Sequence, residues 1–180
     1  MSDDSVLIRA VKAGDRQAFG ELVQRHQQKV LNLAWRMLGE NRDAEDAAQE
    51  TFLRAFRAFP AYDDSRPITP WLMKIAVNVC LNTLQAQKEG EPLDEERAPG
   101  RGHSSRVVEG AVQGRERREQ IGRAILRLAP RHRAVIELRH FQDMSYQEMA
   151  SALQRPVSDI KSDLFRARRL LAEWLKGVDD

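Results

Sequence analysis

The chain has 180 residues, of which 42% are hydrophobic and 31% charged, so it can bury one or two small cores beneath wet outer faces. No apolar run approaches the roughly 18 residues that a membrane span needs, and the acidic start lacks the basic residues of a signal peptide. The single cysteine, Cys80, excludes an internal disulfide and fits a reducing compartment, so we expect a cytoplasmic protein.

The net charge of +2 is unevenly distributed along the chain. Residues 1–85 carry 11 basic and 11 acidic side chains, whereas residues 114–180 carry 14 basic and 10 acidic ones. This excess hints at a polyanionic partner, because phosphate contacts supply most non-specific affinity for nucleic acids. A solvated basic surface explains the excess equally well, so charge alone does not decide between them.

Helical periodicity runs through the N-terminal half, and the small number of glycines and prolines favours an all-α fold. Residues 5–18 predict a short helix with a stop at Gly14. Residues 18–38 predict a second helix, which Gly39 ends. His26 lies on its apolar face, where a packed core histidine is the expected role, since no residue beside it has metal-ligand spacing.

Residues 43–59 predict one amphipathic helix with a distinctive order of residues. Ala48, Phe52, Ala55, Phe56 and Phe59 recur at helical spacing and form an apolar stripe. Acidic residues crowd the first turns, where the helix dipole favours negative charge, and a proline follows the end. An ordinary core helix would show the same features, so this segment alone does not tell whether the helix has a function beyond packing.

A loop with three prolines leads into a helix over residues 71–84, with Pro70 at its first turn. Two asparagines, Asn78 and Asn82, lie off its apolar side. Asparagine is a mediocre helix former, so these positions call for a reason. Solvent exposure is one, and hydrogen bonding to an unstacked base is the other, because a side-chain amide both donates and accepts.

Residues 86–113 lose this periodicity and are rich in Gly, Pro, Ser and charge. This composition is typical of a flexible linker. We therefore predict two modules, residues 1–85 and residues 114–180.

The C-terminal module ends in two predicted helices joined by a short turn. Ser145 and Glu148 form a capping box before the first, and Ser158 is expected to cap the second. A helix, a short turn and an amphipathic second helix match helix-turn-helix geometry, although any three-helix module shows a similar pattern. The outer side of the last helix carries Ser158, Asp159, Ser162, Arg166 and Arg169.

Together the two modules resemble the extracytoplasmic-function (ECF) group of bacterial sigma factors over nearly the whole chain apart from the linker. Residues 43–59 are similar to the segment that binds the polymerase clamp. Residues 70–78, Pro-Trp-Leu-x-x-Ile-Ala-x-Asn, are similar to the family's signature for promoter −10 recognition and strand opening. Residues 138–168 are similar to its −35-binding helix-turn-helix.

The resemblance implies a non-enzymatic sigma factor that directs RNA polymerase to promoters and uses no cofactor or metal. Its implied partners are promoter DNA, the clamp of the largest polymerase subunit, the flap of the second largest, and an anti-sigma factor that holds it inactive. The linker would thread the polymerase channels near the template strand.

Three sets of contact residues follow from this resemblance. Polymerase binding would use Asp43, Asp46, Gln49, Glu50, Phe52, Leu53 and Phe56. The −10 contacts would be Tyr62, Arg66, Thr69, Trp71, Lys74, Asn78 and Asn82, with the loop 62–69 shaping a pocket for a flipped base and Trp71 favoured as a packing residue. The −35 contacts would be Ser145, Arg155, Ser158, Asp159, Lys161, Ser162, Arg166 and Arg169.

Two departures from the family pattern keep alternatives open. Residues 85–88 lack the usual arginines, so the phosphate grip there should be weaker. Asp159 and Asp163 replace groups expected to face DNA or its flank, where carboxylates repel phosphates but accept from a cytosine amino group. They also favour a sigma-like decoy that only binds an anti-sigma factor. A plain helix-turn-helix repressor is a third possibility, but it leaves residues 43–59 unexplained.

Overall fold

The structure, a computed structural model, describes residues 4–90 and 112–176, and this part of the chain is all-α, as predicted. No strand occurs in it. Its α-helices are α1 (Ser5–Lys12), α2 (Arg16–Leu38), α3 (Asn41–Ala58), α4 (Ile68–Gly90), α5 (Val112–Arg127), α6 (Pro130–Ile136), α7 (Tyr146–Leu153) and α8 (Val157–Trp174).

Local capping fixes the ends of α2. The Asp15 carboxylate accepts hydrogen bonds from the backbone N–H groups of Gln17 (2.8 Å) and Ala18 (3.3 Å), which would otherwise lack partners at a helix start. At the other end Gly39 adopts φ +81° and donates to the Trp35 carbonyl. A side chain there would be strained and would also meet Leu126 at 3.0 Å.

α2, α3 and α4 pack against one another as the N-terminal body, and α1 packs on α2. Small side chains on α3, such as Ala44, Ala47 and Thr51, are buried and let the helices approach closely. A second apolar cluster lies beneath the loop after α3 and contains Ile8, Leu22, Phe59, Tyr62 and Ile68. The loop that precedes α4 therefore stands on a packed aromatic base.

Two boundaries differ from the prediction. The α-helix α3 ends before Pro60, as predicted, but at Ala58, one residue early, and a 3₁₀ turn, Phe59–Ala61, follows it, whose early position tolerates proline. α4 begins at Ile68 and continues to Gly90, five residues into the segment predicted as linker. Residues 85–89 are good helix formers, so the helix has no reason to end at residue 85. The predicted linker residues 91–111 lie outside the described part of the chain.

The C-terminal body consists of α5 to α8, with α6 and α8 as its most extensive pair. α6 does not run regularly to residue 141, because a π-helical turn, Glu137–Phe141, replaces its last turn. Such turns are frequent at functional sites. This one places Glu137 and Leu138 inside the protein and leaves Phe141 at the surface.

The two bodies pack on each other, and their buried side chains form one continuous apolar core. α2 contacts α5, α6 and the π-helical turn, and α4 contacts α6 and α7. Arg36 donates to both carboxylate oxygens of Glu137, at 2.6 and 2.7 Å, and stacks 4.1 Å from the ring of Phe141. Arg133 donates to the carbonyl of Met37, also across the boundary. We call this surface the module interface.

Candidate functional site

α3 presents an outward face of mixed acidic and apolar character. Asp46, Gln49, Leu53 and Phe56 are all exposed, with Leu53 and Phe56 at 47% and 42% of their surface. Their spacing of three or four residues places them on one side of the helix. Large exposed apolar side chains ringed by charge are typical of a protein-binding surface.

Three other residues predicted for polymerase binding are less exposed. Glu50 is half-buried and accepts from Arg54 at 2.6 Å, one turn along the same helix. Asp43 accepts from the Gln87 side chain at 2.9 Å, so the start of α3 is tied to the end of α4. Phe52 packs partly against the core. The outward face is therefore narrower than the predicted set.

The loop between α3 and α4 packs on three aromatic rings, those of Phe59, Tyr62 and Trp71. Tyr62 is only 4% exposed, its hydroxyl donates to the Arg66 carbonyl, and its ring lies 4.7 Å from that of Trp71 and 5.5 Å from that of Phe59. Burial raises the pKa of the Tyr62 phenol. Tyr62 therefore supports the loop from within, which differs from its predicted role as a DNA contact. Trp71 contacts the same rings, in line with the packing role favoured for it.

The polar tip of this loop is held by Asp63. Its carboxylate accepts from the backbone N–H and the hydroxyl of Ser65, at 3.1 and 2.7 Å, and these bonds hold the pKa of Asp63 below its usual range. Arg66 extends into solvent, 3.2 Å from Asp63. A cavity of about 430 Å³ opens beside the loop, and Arg66, Thr69 and the α2 residues Arg25 and Lys29 help to line it. Asp4 and Asp64 also line this cavity, and Arg25 is paired with Asp4 at 3.0 Å, so the cavity presents charges of both signs.

The sequence left Asn78 open between solvent exposure and a hydrogen bond to an unstacked base, and in this structure its amide instead bonds to two backbone carbonyls. Its amide donates to the Lys74 carbonyl at 3.0 Å and, across the module interface, to the carbonyl of Ala152 at 3.2 Å. Lys74 is half-buried, and Asn82, one turn further along α4, is exposed. The predicted −10 residues are thus divided between the loop, the module interface and open solvent.

The helix-turn-helix is formed by α7 and α8. Ser145 caps α7, and its N–H and hydroxyl exchange hydrogen bonds with Glu148 at 2.7 and 3.2 Å, so the predicted capping box is present. Gln154 adopts φ 52° in the turn. α8 begins at Val157 after Pro156, so Ser158 lies in its first turn and is not the cap that was predicted.

The outer face of α8 carries three of the basic residues predicted to contact the −35 element. Ser158, Asp159, Ser162, Arg166 and Arg169 are exposed, as the amphipathic pattern predicted, and so is Lys161. Phe165 was missed, although it is 70% exposed and follows Ser158 and Ser162 at helical spacing. Its position outside the buried series of Ile160, Leu164 and Ala167 was the available signal. A basic face with one exposed aromatic suits contact with DNA.

Asp163 does not face outward, which corrects the expectation that it lies toward DNA or its flank. It is 3% exposed, accepts from Arg155 at 2.6 Å, and lies 3.5 Å from the His132 ring. Burial lowers the pKa of His132, although Asp163 acts in the opposite direction. Asp163 was one of the two carboxylates that favoured a sigma-like decoy, and it forms its ion pairs inside the protein instead.

Two other features are absent from the described residues. Within residues 4–90 and 112–176, no group of three or more His, Cys, Asp and Glu side chains is placed to hold a metal ion. None of the helices in those ranges is long and apolar enough to cross a bilayer. The features that this part of the chain does present are an exposed, partly apolar face on α3 and a helix-turn-helix.

Comparison with known proteins identifies this class. The profile of Sigma-70 region 2 matches residues 22–89, and that of Sigma-70 region 4 matches residues 118–171. The chain is 34% identical to the ECF RNA polymerase sigma factor SigW of Bacillus subtilis, over 95% of this chain and 96% of that protein. It is 33% identical to the ECF RNA polymerase sigma-E factor of Escherichia coli, over 93% and 92%.

A solved structure shares the overall arrangement. CnrH, solved in complex with the cytosolic domain of CnrY, aligns with a TM-score of 0.66 and 26% identity, covering 96% of this chain and 97% of that one. The chain belongs to the sigma-70 family, in its ECF group. It is a transcription initiation factor that directs RNA polymerase to promoters, as the resemblance implied.

Proposed function

We propose that this sigma factor divides its work between the two predicted modules, residues 1–85 and 114–180. The outward face of α3 binds the polymerase clamp, the loop 62–69 with α4 holds the melted −10 strand, and α8 reads the −35 duplex. The single observation that carries this proposal is the presence, on one chain, of the exposed Leu53 and Phe56 face and a helix-turn-helix with a basic outer helix. Run-off transcription with reconstituted polymerase, followed by mapping of the start sites, tests it.

The factor contributes binding and no catalysis of its own in this proposal. Each step assigned to it is contact with protein, duplex or single strand, and none requires a nucleophile or a metal. It acts in the cytoplasm, because that is where bacterial polymerase and promoter DNA meet.

A regulatory partner follows from the same family. CnrH was solved with the cytosolic domain of another protein bound to it, in a fold similar to this one. We infer that an anti-sigma factor likewise binds this chain and keeps it from polymerase. Co-purification of the factor with its native partner, and release of transcription when that partner is removed, would support this inference.

The position of Asn78 sets a condition on promoter binding. In the present arrangement its amide nitrogen donates to the carbonyls of Lys74 and Ala152, so donation from this nitrogen to a base requires the bond across the module interface to break. We infer that α7 moves away from α4 when the −10 strand is bound. The structure then represents the state before promoter engagement.

The docking role of α3 predicts the effect of a charge reversal. We expect Asp46→Lys, a reversal on the exposed face itself, to weaken binding to core polymerase about tenfold, or about 1.4 kcal/mol, with an unchanged unfolding curve. Glu173→Lys, an exposed reversal near the end of α8, is the matched control. Fluorescence anisotropy with labelled factor measures both affinities. Equal affinities for the two variants would contradict the assignment of α3.

The −10 role of Asn78 predicts a separation between two assays. We expect Asn78→Ala to slow open-complex formation several-fold while affinity for core polymerase stays within twofold, because the amide contacts the strand and not the clamp. Asn82→Ala is the comparison, since Asn82 lies one turn further along α4 and is exposed. Permanganate footprinting reports strand opening. Equal losses of opening and core binding would show that Asn78 is structural.

A further inference from the structure

The first turn of α8 contains an exposed carboxylate, that of Asp159. In a helix-turn-helix the N-terminal residues of the second helix reach the base edges in the major groove. In this chain those residues are Ser158 and Asp159, both exposed, while Ile160 is buried beneath them. An acidic residue at this point must find a favourable partner on DNA or weaken binding.

The contacts of Asp159 leave its oxygens able to accept further hydrogen bonds. Its side chain is 52% exposed, the Ser158 hydroxyl is 3.4 Å away, and the nearest Arg155 nitrogen is 3.9 Å away, beyond hydrogen-bond distance. Arg155 instead makes its short bond, 2.6 Å, with Asp163. Asp159 is therefore not locked into the protein as Asp163 is.

Asp163 and its partners fix the start of α8. They tie together α6 through His132, the turn through Arg155, and α8 itself. The guanidinium of Arg155 is thereby held near Asp159 without closing on it. Such support holds the start of α8, and with it Asp159, in a defined position.

The chemistry of the groove limits what Asp159 can bind. An ionised carboxylate only accepts hydrogen bonds, so phosphates, O6 and N7 repel it and exocyclic amino groups attract it. Adenine presents its amino group next to the N7 acceptor, whereas cytosine presents N4 next to a C–H. Cytosine is therefore the better partner.

We propose that Asp159 is a specificity-determining residue that accepts a hydrogen bond from a cytosine amino group in the −35 element. This rests on the proposed −35 role of α8 and deepens it by naming one residue and one base. The Asp163 carboxylate, four residues further along the same helix, positions α8 and contacts no base.

A library of promoters with randomised −35 elements and downstream barcodes tests the proposal in run-off transcription with the full chain. We expect the wild-type factor to favour cytosine at one position by about five- to a hundredfold. Asp159→Ala should remove the preference at that position alone. Asp159→Asn should move it to adenine, since an amide both accepts from N6 and donates to N7.

Asp163→Asn is the matched control, because it also removes one carboxylate from α8. We expect it to lower transcription across all −35 sequences while the cytosine preference persists. Retention of that preference by Asp159→Ala would overturn the inference and leave the −35 role of α8 intact. A wild-type factor that transcribes with no −35 preference would overturn both, and one that gives no promoter-dependent transcript would defeat the proposed function itself.

Discussion

Phe59→Ala is expected to lower the free energy of unfolding by about 3–5 kcal/mol, because this ring is the centre of the aromatic cluster beneath the loop between α3 and α4. Phe59 is 2% exposed and contacts Phe19 and Trp71 edge to face, at 5.8 and 5.9 Å between ring centroids. Its removal leaves a cavity where α1, α2 and the loop meet. Each lost ring contact adds about 0.5–1.5 kcal/mol to the cost of lost burial.

Urea denaturation measures this effect as a lower midpoint at an unchanged slope. Phe165→Ala is the matched control, since the same side chain is 70% exposed there and should change stability by no more than about 0.5 kcal/mol. A loss of less than 1 kcal/mol for Phe59→Ala would contradict the packing described for the cluster. Because the loop stands on this cluster, the variant should also reduce strand opening.

Arg36→Ala is expected to destabilise the module interface by about 3–5 kcal/mol, because it leaves a buried carboxylate without its cation. Glu137 is 2% exposed, and Arg36 supplies two of its short hydrogen bonds. The remaining partner is the Gln142 amide, at 2.8 Å. If the two bodies separated, Glu137 would return to water. The loss of stability in Arg36→Ala therefore cannot exceed the free energy that holds the two bodies together.

Small-angle scattering should therefore show a larger radius of gyration for Arg36→Ala, and its urea midpoint should fall. Arg54→Ala, which breaks the exposed pair with Glu50, should cost less than about 1 kcal/mol. The double variant Arg36→Met with Glu137→Leu should recover most of the loss, since apolar pairs often replace buried ion pairs without penalty. An unchanged radius and midpoint for Arg36→Ala would show that the salt bridge does not hold the interface.

The sequence was sufficient to predict the helices and the position of the helix-turn-helix, because both depend on local patterns. Periodicity indicated the buried face of α8, and Ser145 with Glu148 indicated where α7 begins. Helix ends were less well predicted. Ser158 was predicted to be the cap, but Pro156, with its fixed φ, occupies the cap position two residues earlier.

The partners of charged residues were not predictable from the sequence. Asp163 and Arg155 are eight residues apart on different elements, and Arg36 and Glu137 are separated by most of the chain. Periodicity assigns a charged residue to the surface by default, since burial becomes possible only when a distant partner arrives. Tyr62 was assigned to DNA by the resemblance, and Asn78 was left open between solvent and an unstacked base. Their observed partners, Trp71 for the Tyr62 ring and the Ala152 carbonyl for the Asn78 amide, depend on tertiary packing in the same way.

The length of chain between α4 and α5 sets how far the two bodies can move apart. Residues 91–111 connect the last residue of α4 to the first of α5, and fully extended they would span at most about 70 Å. The −10 and −35 elements, about 25 base pairs apart, are separated by about 85 Å of B-DNA. Under the proposed division of work, the widths of the two bodies make up the difference, and a deletion within residues 91–111 is expected to lower the longest promoter spacing that the factor can use.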